Sequence, residues 1–114
     1  MHQVSISKES KKVHRLNDVL QTLCEHAPQL EQKYPVQLLG VFGSVARGDN
    51  TSESDIDLLA NFKPTMGLND LLDLCDELEQ LFTCKIDIVT PQQITARYWL
   101  HISPEVVYLK NTAS

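Results

Sequence analysis

The sequence is poor in the features that mark several common kinds of protein. It contains only three cysteines in 114 residues, Cys24, Cys75 and Cys84, and no two of them form a C-x-x-C pair. This number and spacing argue against a disulfide framework and against a zinc site. Long apolar runs are also missing, since no stretch approaches the ~20 residues that a membrane-spanning helix needs. No signal peptide opens the sequence, so we expect a soluble cytoplasmic protein without membrane contact.

Basic residues are scarce as well. Lysine and arginine number 10 against 15 aspartates and glutamates, which gives a formal net charge of −5. Binding to a long nucleic acid relies on a basic surface that displaces the counterions of the phosphate backbone. We therefore expect no direct nucleic-acid partner. A small phosphate ligand remains compatible with this charge, because a bound divalent cation reverses the local sign.

The spacing of apolar residues predicts an alternation of helices and strands. Apolar residues recur every three or four positions over residues 13–30, which is typical of an amphipathic helix, and Pro28 within it predicts a kink or a break. The runs "VQLLGVF" (36–42) and "DIDLLANF" (55–62) are predicted strands, and residues 68–82 a second helix. The remaining predicted elements are a strand at 84–90, a short helix after Pro91 and a strand or extended tail at 105–109.

This order of elements predicts a single domain over residues 1–114. A helical N-terminal segment accounts for residues 1–35 and a core for residues 36–109. The predicted fold class is α+β, a small mixed β-sheet with helices packed on one face.

Two aspartates stand where the second predicted strand begins. Residues i and i+2 of a strand face the same way, with Cα atoms roughly 6.7 Å apart, so Asp55 and Asp57 project together while Ile56 points into the core. Adjacent carboxylates repel each other unless a positive charge lies between them. Mg²⁺ prefers such oxygen ligands, and a pair of metal ions assists nucleotidyl displacement. Taken alone, the D-x-D pattern is more typical of a solvated strand end than of a metal site.

A Gly-Ser turn lies ten residues upstream of this pair. Gly43 and Ser44 directly follow the first predicted strand, and glycine lets a ligand approach the main chain closely. The serine can cap a following helix, and free amide groups at such a turn bind phosphate. Arg47 is a candidate for binding the nucleotide by neutralising a triphosphate. The alternatives are a plain helix cap and a surface ion pair of Arg47 with Asp49 or Glu53.

A third acid, Asp87, lies in the middle of the predicted strand 84–90. A single acid in a strand is usually solvated. If the strands 55–62 and 84–90 are neighbours, however, Asp87 completes a cluster of three carboxylates that holds a metal and helps to deprotonate an attacking hydroxyl. The combined pattern, Gly-Ser-x₁₀-Asp-x-Asp followed by a strand aspartate, is specific.

The aromatic residues and histidines near the end of the sequence give a weaker signal. We expect the side chains of Tyr98 and Trp99 to pack the last helix against the rest of the domain rather than to stack on adenine. His14, His26 and His101 have no spacing that forms a ligand set, so they are interpreted as surface or packing residues.

The segments "FGSVARGDNTSESDIDLL" and "KIDIVT" resemble the minimal nucleotidyltransferases of the polymerase-β-type superfamily. Within it, the sequence is most similar to the MntA-type antitoxins that accompany HEPN-domain (HepT) toxins. The resemblance covers most of the chain and implies a polymerase-β palm-like fold. The implied site residues are Gly43 and Ser44 for phosphate, Asp55 and Asp57 for two Mg²⁺ ions, and Asp87 as the third carboxylate.

The resemblance also implies a reaction, the transfer of AMP from ATP to a tyrosine of a cognate toxin, which silences the ribonuclease of that toxin. We thus expect a Mg²⁺-dependent protein adenylyltransferase, the antitoxin of a type VII-like pair, in a hetero-oligomer with its toxin. One alternative is an antitoxin that acts by binding alone, although an intact acid triad argues against it. Another is a small-molecule acceptor, which the short stretch after Asp87 disfavours, so we expect a second chain to complete the substrate pocket.

Overall fold

The computed structural model describes residues 13–109. Within this part, four α-helices and four β-strands alternate with two short 3-10 turns. The helices are α1 (Leu16–Lys33), α2 (Gly43–Arg47), α3 (Leu68–Phe82) and α4 (Ala96–Ile102). The strands are β1 (Val36–Phe42), β2 (Ile56–Phe62), β3 (Ile86–Val89) and β4 (Val107–Tyr108), and the 3-10 turns are Pro91–Gln93 and Ser103–Glu105.

All four strands belong to one mixed sheet in the order β3-β2-β1-β4. β1 runs antiparallel to β2 and to β4, whereas β2 and β3 are parallel. In the parallel pair Asp57 is the partner of Asp87, and across β1 and β2 Asp57 is the partner of Phe42. The two acid-bearing strands are therefore neighbours, as the hypothesis of a carboxylate cluster requires.

The sheet separates two apolar clusters. Successive side chains of a strand point to opposite faces, so Ile56 and Leu58 of β2 point to the larger cluster and Leu59 points to the smaller one on the other face. The long helices α1 and α3 cover the larger cluster, which confirms the predicted α+β class, and the short helix α4 covers the smaller one. The buried members of the smaller cluster are Phe42, Leu59 and Ile102.

α1 continues through Pro28, which is exposed, so the predicted break does not occur. A proline inside a helix removes one main-chain hydrogen bond. Burial of the apolar face of α1 against the sheet outweighs this local cost, because tertiary packing supplies most of the stability of a helix in a protein. The buried residues of that face are Val19, Leu23, Ala27 and Leu30. None of the helices in the described part of the chain is long and apolar enough to cross a membrane.

The domain boundaries stay a prediction. α1 lies inside the predicted N-terminal segment 1–35, and the sheet lies inside the predicted core 36–109. The ends of the predicted domain, residues 1–12 and 110–114, lie outside the described residues.

Candidate active site

A cavity of about 370 Å³ opens on the face of the sheet that carries the smaller apolar cluster. The end of β1, the short helix α2, the strands β2 and β3 and the helix α4 all contribute to its wall. The structure brings five of the six predicted site residues together there. These five are Gly43, Ser44, Arg47, Asp57 and Asp87.

The carboxylates of Asp57 and Asp87 leave the same face of the sheet, because the two residues are partners on adjacent parallel strands. Adjacent strands lie about 4.8 Å apart, so the two acids are close neighbours. Asp87 is exposed and Asp57 is half-buried. Burial, followed by the charges of Asp87 and Asp55, raises the pKa of Asp57 from 3.8 to about 6, while Arg47 acts in the opposite direction. The electrostatic repulsion expected of a carboxylate cluster is therefore present.

Asp55 differs from the other two acids in position. It lies one residue before β2 begins, is exposed, and is not part of the cavity wall. Its charge nevertheless reaches Asp57, whose pKa it helps to raise. Over residues 13–109, no group of three or more histidine, cysteine, aspartate and glutamate side chains is arranged to hold a metal ion. The structure therefore pairs Asp57 with Asp87 and leaves Asp55 outside the cavity.

The pair of Asp57 and Asp87 fits a hard divalent cation by the chemistry of its donor atoms. Both side chains offer carboxylate oxygens on one face, and a cation between them relieves their repulsion. Mg²⁺ typically binds one or two carboxylates and completes its shell with water and with substrate phosphates. The roles of Asp55, Asp57 and Asp87 as metal ligands stay a prediction.

Gly43 brings the main chain against the carboxylate of Asp57. Its φ angle is +77°, and a Cβ atom at this position would overlap Oδ2 of Asp57. Only glycine accepts both the backbone angle and the close contact. Gly43 and Ser44 form the start of α2 directly after β1 ends. The predicted turn between a strand and a helix is thus confirmed, but Ser44 does not cap the helix, because the N-cap residue is Phe42. The role of the turn in binding phosphate stays a prediction.

Arg47 is held by acidic residues on two sides. Its Nε donates a hydrogen bond to Oδ2 of Asp49 at 3.1 Å, and its Nη1 donates to Oε1 of Glu105 at 3.2 Å. The hydrogen bond to Asp49 is the main reason why the pKa of Arg47 is raised. The predicted ion pair with Asp49 is confirmed, and Glu105 is a partner that the sequence did not reveal. The side chain of Arg47 stays 46% exposed on the cavity wall and so remains accessible to a ligand.

Tyr98 of α4 lines the cavity against expectation. Trp99 packs into the smaller cluster as predicted, but Tyr98 is 49% exposed and faces the cavity together with His101. The prediction that Tyr98 packs the helix is therefore wrong. The available signal was the three-residue spacing of Tyr98 and His101, because residues three apart on a helix share a face.

The nucleotidyltransferase domain family matches residues 23–110 of the chain. The protein adenylyltransferase MntA of Thermococcus cleftensis is 30% identical over 94 residues, which are 82% of this chain and 95% of that protein. A candidate protein adenylyltransferase of Methanocaldococcus jannaschii is 34% identical over 83 residues, which are 73% of this chain and 85% of that protein.

Solved structures agree with the sequence relatives. A candidate minimal nucleotidyltransferase has a TM-score of 0.62 and 31% identity, covering 77% of this chain and 93% of the other. A toxin–antitoxin crystal structure with AMP-PNP has a TM-score of 0.59, covering 85% of this chain and 73% of the other, and its 20% identity shows the fold alone. Since the family match spans most of the chain and contains the acids of the cavity, the chain belongs to the nucleotidyltransferase domain family and is a nucleotidyltransferase related to MntA.

Proposed function

We propose that the chain is a cytoplasmic antitoxin of a type VII-like pair and a Mg²⁺-dependent protein adenylyltransferase. It transfers AMP from ATP to a tyrosine of a cognate HEPN ribonuclease toxin and so inactivates that toxin. The observation that carries the proposal is the pairing of Asp57 with Asp87 across β2 and β3, with the main chain of Gly43 against Asp57. The relatives named as protein adenylyltransferases and the toxin–antitoxin structures of similar fold support the choice of acceptor.

The residues of the cavity have separate tasks in this reaction. The main chain at Gly43 and Ser44 approaches the triphosphate, and Arg47 offsets its charge. Asp57 and Asp87, with Asp55 nearby, would hold Mg²⁺, which supplies charge neutralisation at the reacting phosphate.

The attacking group is the phenol oxygen of the toxin tyrosine. It forms a bond to the α-phosphorus while the bond from that phosphorus to pyrophosphate breaks. Asp87 lines the cavity and is exposed, which supports its choice as the carboxylate that accepts the phenol proton. The reaction therefore needs the acceptor oxygen in line with the leaving pyrophosphate, and docking of the toxin beside the cavity supplies that alignment.

The ribonuclease activity of the toxin tests the proposal. Toxin is incubated with this chain, Mg²⁺ and either ATP or α,β-methylene-ATP, an analogue that cannot release pyrophosphate, and is then re-isolated from the complex. We expect toxin treated with ATP to stay inactive and toxin treated with the analogue to recover its activity. Equal inhibition by the chain without nucleotide, reversed completely on re-isolation, would instead identify an antitoxin that acts by contact alone.

A further inference from the structure

The helix α4 contributes side chains both to the smaller apolar cluster and to the cavity wall. Trp99 and Ile102 pack into the smaller cluster, and Ile102 is only 3% exposed. This packing fixes the rotation of the helix about its axis and turns Tyr98 and His101 to the cavity wall. Thr95 fixes the first turn, because its Oγ1 accepts a hydrogen bond from the main-chain nitrogen of Tyr98 at 3.2 Å. The cap at the N-terminal end of α4 and the packing towards its C-terminal end therefore fix the position of Tyr98.

The rings of Tyr98 and His101 form a paired aromatic surface. Their centroids lie 6.4 Å apart and their planes differ by 24°, so the two rings are nearly parallel. Both side chains are exposed, and both line the cavity. An aromatic ring that is exposed at a cavity offers a flat apolar face, on which a planar ligand can stack.

The cavity wall combines charged and aromatic residues from different elements. Arg47 on α2 and Asp57 on β2 suit phosphates and a cation, whereas Tyr98 and His101 lie on α4. A nucleotide combines the same two features, charged phosphates and a flat base. The volume of about 370 Å³ lies within the usual range of small-molecule sites.

We propose that Tyr98 and His101 form the surface on which the base of the bound nucleotide stacks. This inference rests on the proposed function in taking a nucleoside triphosphate as the substrate, and it adds the residues that hold the base. Stacking recognises the flat face of a base rather than its hydrogen-bonding edge. The two rings therefore contribute affinity for the base, and neither is needed for contact with the phosphates.

Titration calorimetry with α,β-methylene-ATP and Mg²⁺ tests this assignment on the full chain. We expect Tyr98→Ala to weaken binding by roughly ten- to a hundredfold, the effect typical of losing one stacked base. Tyr98→Phe keeps the ring and is expected to bind within about threefold of the unaltered chain. Leu100→Ala is the matched control, because Leu100 lies on the same helix, is 73% exposed and does not line the cavity. Its nucleotide affinity is expected to be unchanged.

Inorganic tripolyphosphate separates loss of stacking from loss of the site. It carries the phosphates without a base, so Tyr98→Ala is expected to bind it as tightly as the unaltered chain does. Loss of both ligands together would show that Tyr98 supports the fold of the cavity and would overturn the inference. Unchanged nucleotide affinity in Tyr98→Ala would also overturn the inference. A raised KM for the toxin in a separate transfer assay would then assign Tyr98 to the acceptor. The calorimetry contains no toxin, so its result does not depend on whether the chain modifies a toxin.

Discussion

Asp57→Asn and Asp87→Asn are each expected to lower AMP transfer by roughly a thousandfold or more, about 4 kcal/mol of transition-state stabilisation. Each substitution removes a charged carboxylate from the pair of aspartates on the cavity wall, whereas Glu105, a further acid of that wall, is bound to Arg47. An amide cannot replace a carboxylate as a strong Mg²⁺ ligand, and it cannot accept the phenol proton. Labelled ATP measures the transfer, and co-purification with the toxin measures complex formation, which we expect to survive in Asp87→Asn.

The stability of Asp57→Asn provides a check that it is folded. Folding raises the pKa of Asp57 from 3.8 to about 6, so the folded chain binds the proton more tightly than the unfolded chain does. Without Mg²⁺, ionisation of Asp57 therefore lowers the free energy of unfolding as the pH rises from about 4 to about 6. Above that window Asp57→Asn should be more stable by ~1 kcal/mol, allowing for solvent screening of a half-exposed group. This corresponds to a melting temperature higher by roughly 4–8 °C.

Asp73→Asn is the control for both measurements. Asp73 is an exposed acid of α3 and does not line the cavity, so we expect neither transfer nor melting temperature to change appreciably. Transfer by Asp57→Asn or Asp87→Asn at a level near that of Asp73→Asn would contradict the assignment of these carboxylates to the reaction.

Gly43→Ala is expected to reduce nucleotide affinity and transfer by roughly a hundredfold or more. The new Cβ would overlap Oδ2 of Asp57, so the carboxylate must leave the position it holds against the main chain. The φ angle of +77° adds backbone strain of about 1–2 kcal/mol for any residue with a side chain. Gly43→Val adds further bulk at the same contact and is expected to have the larger effect. Calorimetry with Mg²⁺ and α,β-methylene-ATP measures the loss of affinity.

Gly48→Ala separates the effect of the steric overlap with Asp57 from the effect of backbone strain. Gly48 ends α2 with a φ of +86°, and a Cβ there would meet no atom within 4 Å. It therefore incurs similar backbone strain without touching Asp57. We expect Gly48→Ala to lower stability but to keep most of the nucleotide affinity. If Gly43→Ala and Gly48→Ala lose affinity equally, the turn does not act through its contact with Asp57.

The candidate site was predictable where its residues are close in sequence. The Gly-Ser turn and the two aspartates around the start of β2 follow from local patterns, namely a strand that ends at Phe42 and another that begins at Ile56. The place of Asp87 needed one further fact, that β3 lies parallel to β2. Sequence alternation indicates the face on which a strand residue lies, but the pairing of strands depends on the whole fold.

The C-terminal wall of the cavity was not predictable in this way. Which face of α4 meets the cavity depends on how Trp99 and Ile102 fit the smaller cluster, and that fit involves strands far away in the sequence. The ion pair of Arg47 with Glu105 was not predictable either, because the two residues are separated by 58 positions. The continuity of α1 at Pro28 is likewise a tertiary effect, since packing overrides a local preference.

Mass spectrometry of the toxin tests the central claim most directly. The cognate HEPN toxin is incubated with this chain, ATP and Mg²⁺, digested, and its peptides are sequenced by fragmentation. The proposed function predicts an AMP adduct on a tyrosine of the toxin, absent when the chain carries Asp57→Asn. A tight complex in which the toxin stays unmodified, under conditions where calorimetry shows that nucleotide is bound, would contradict it.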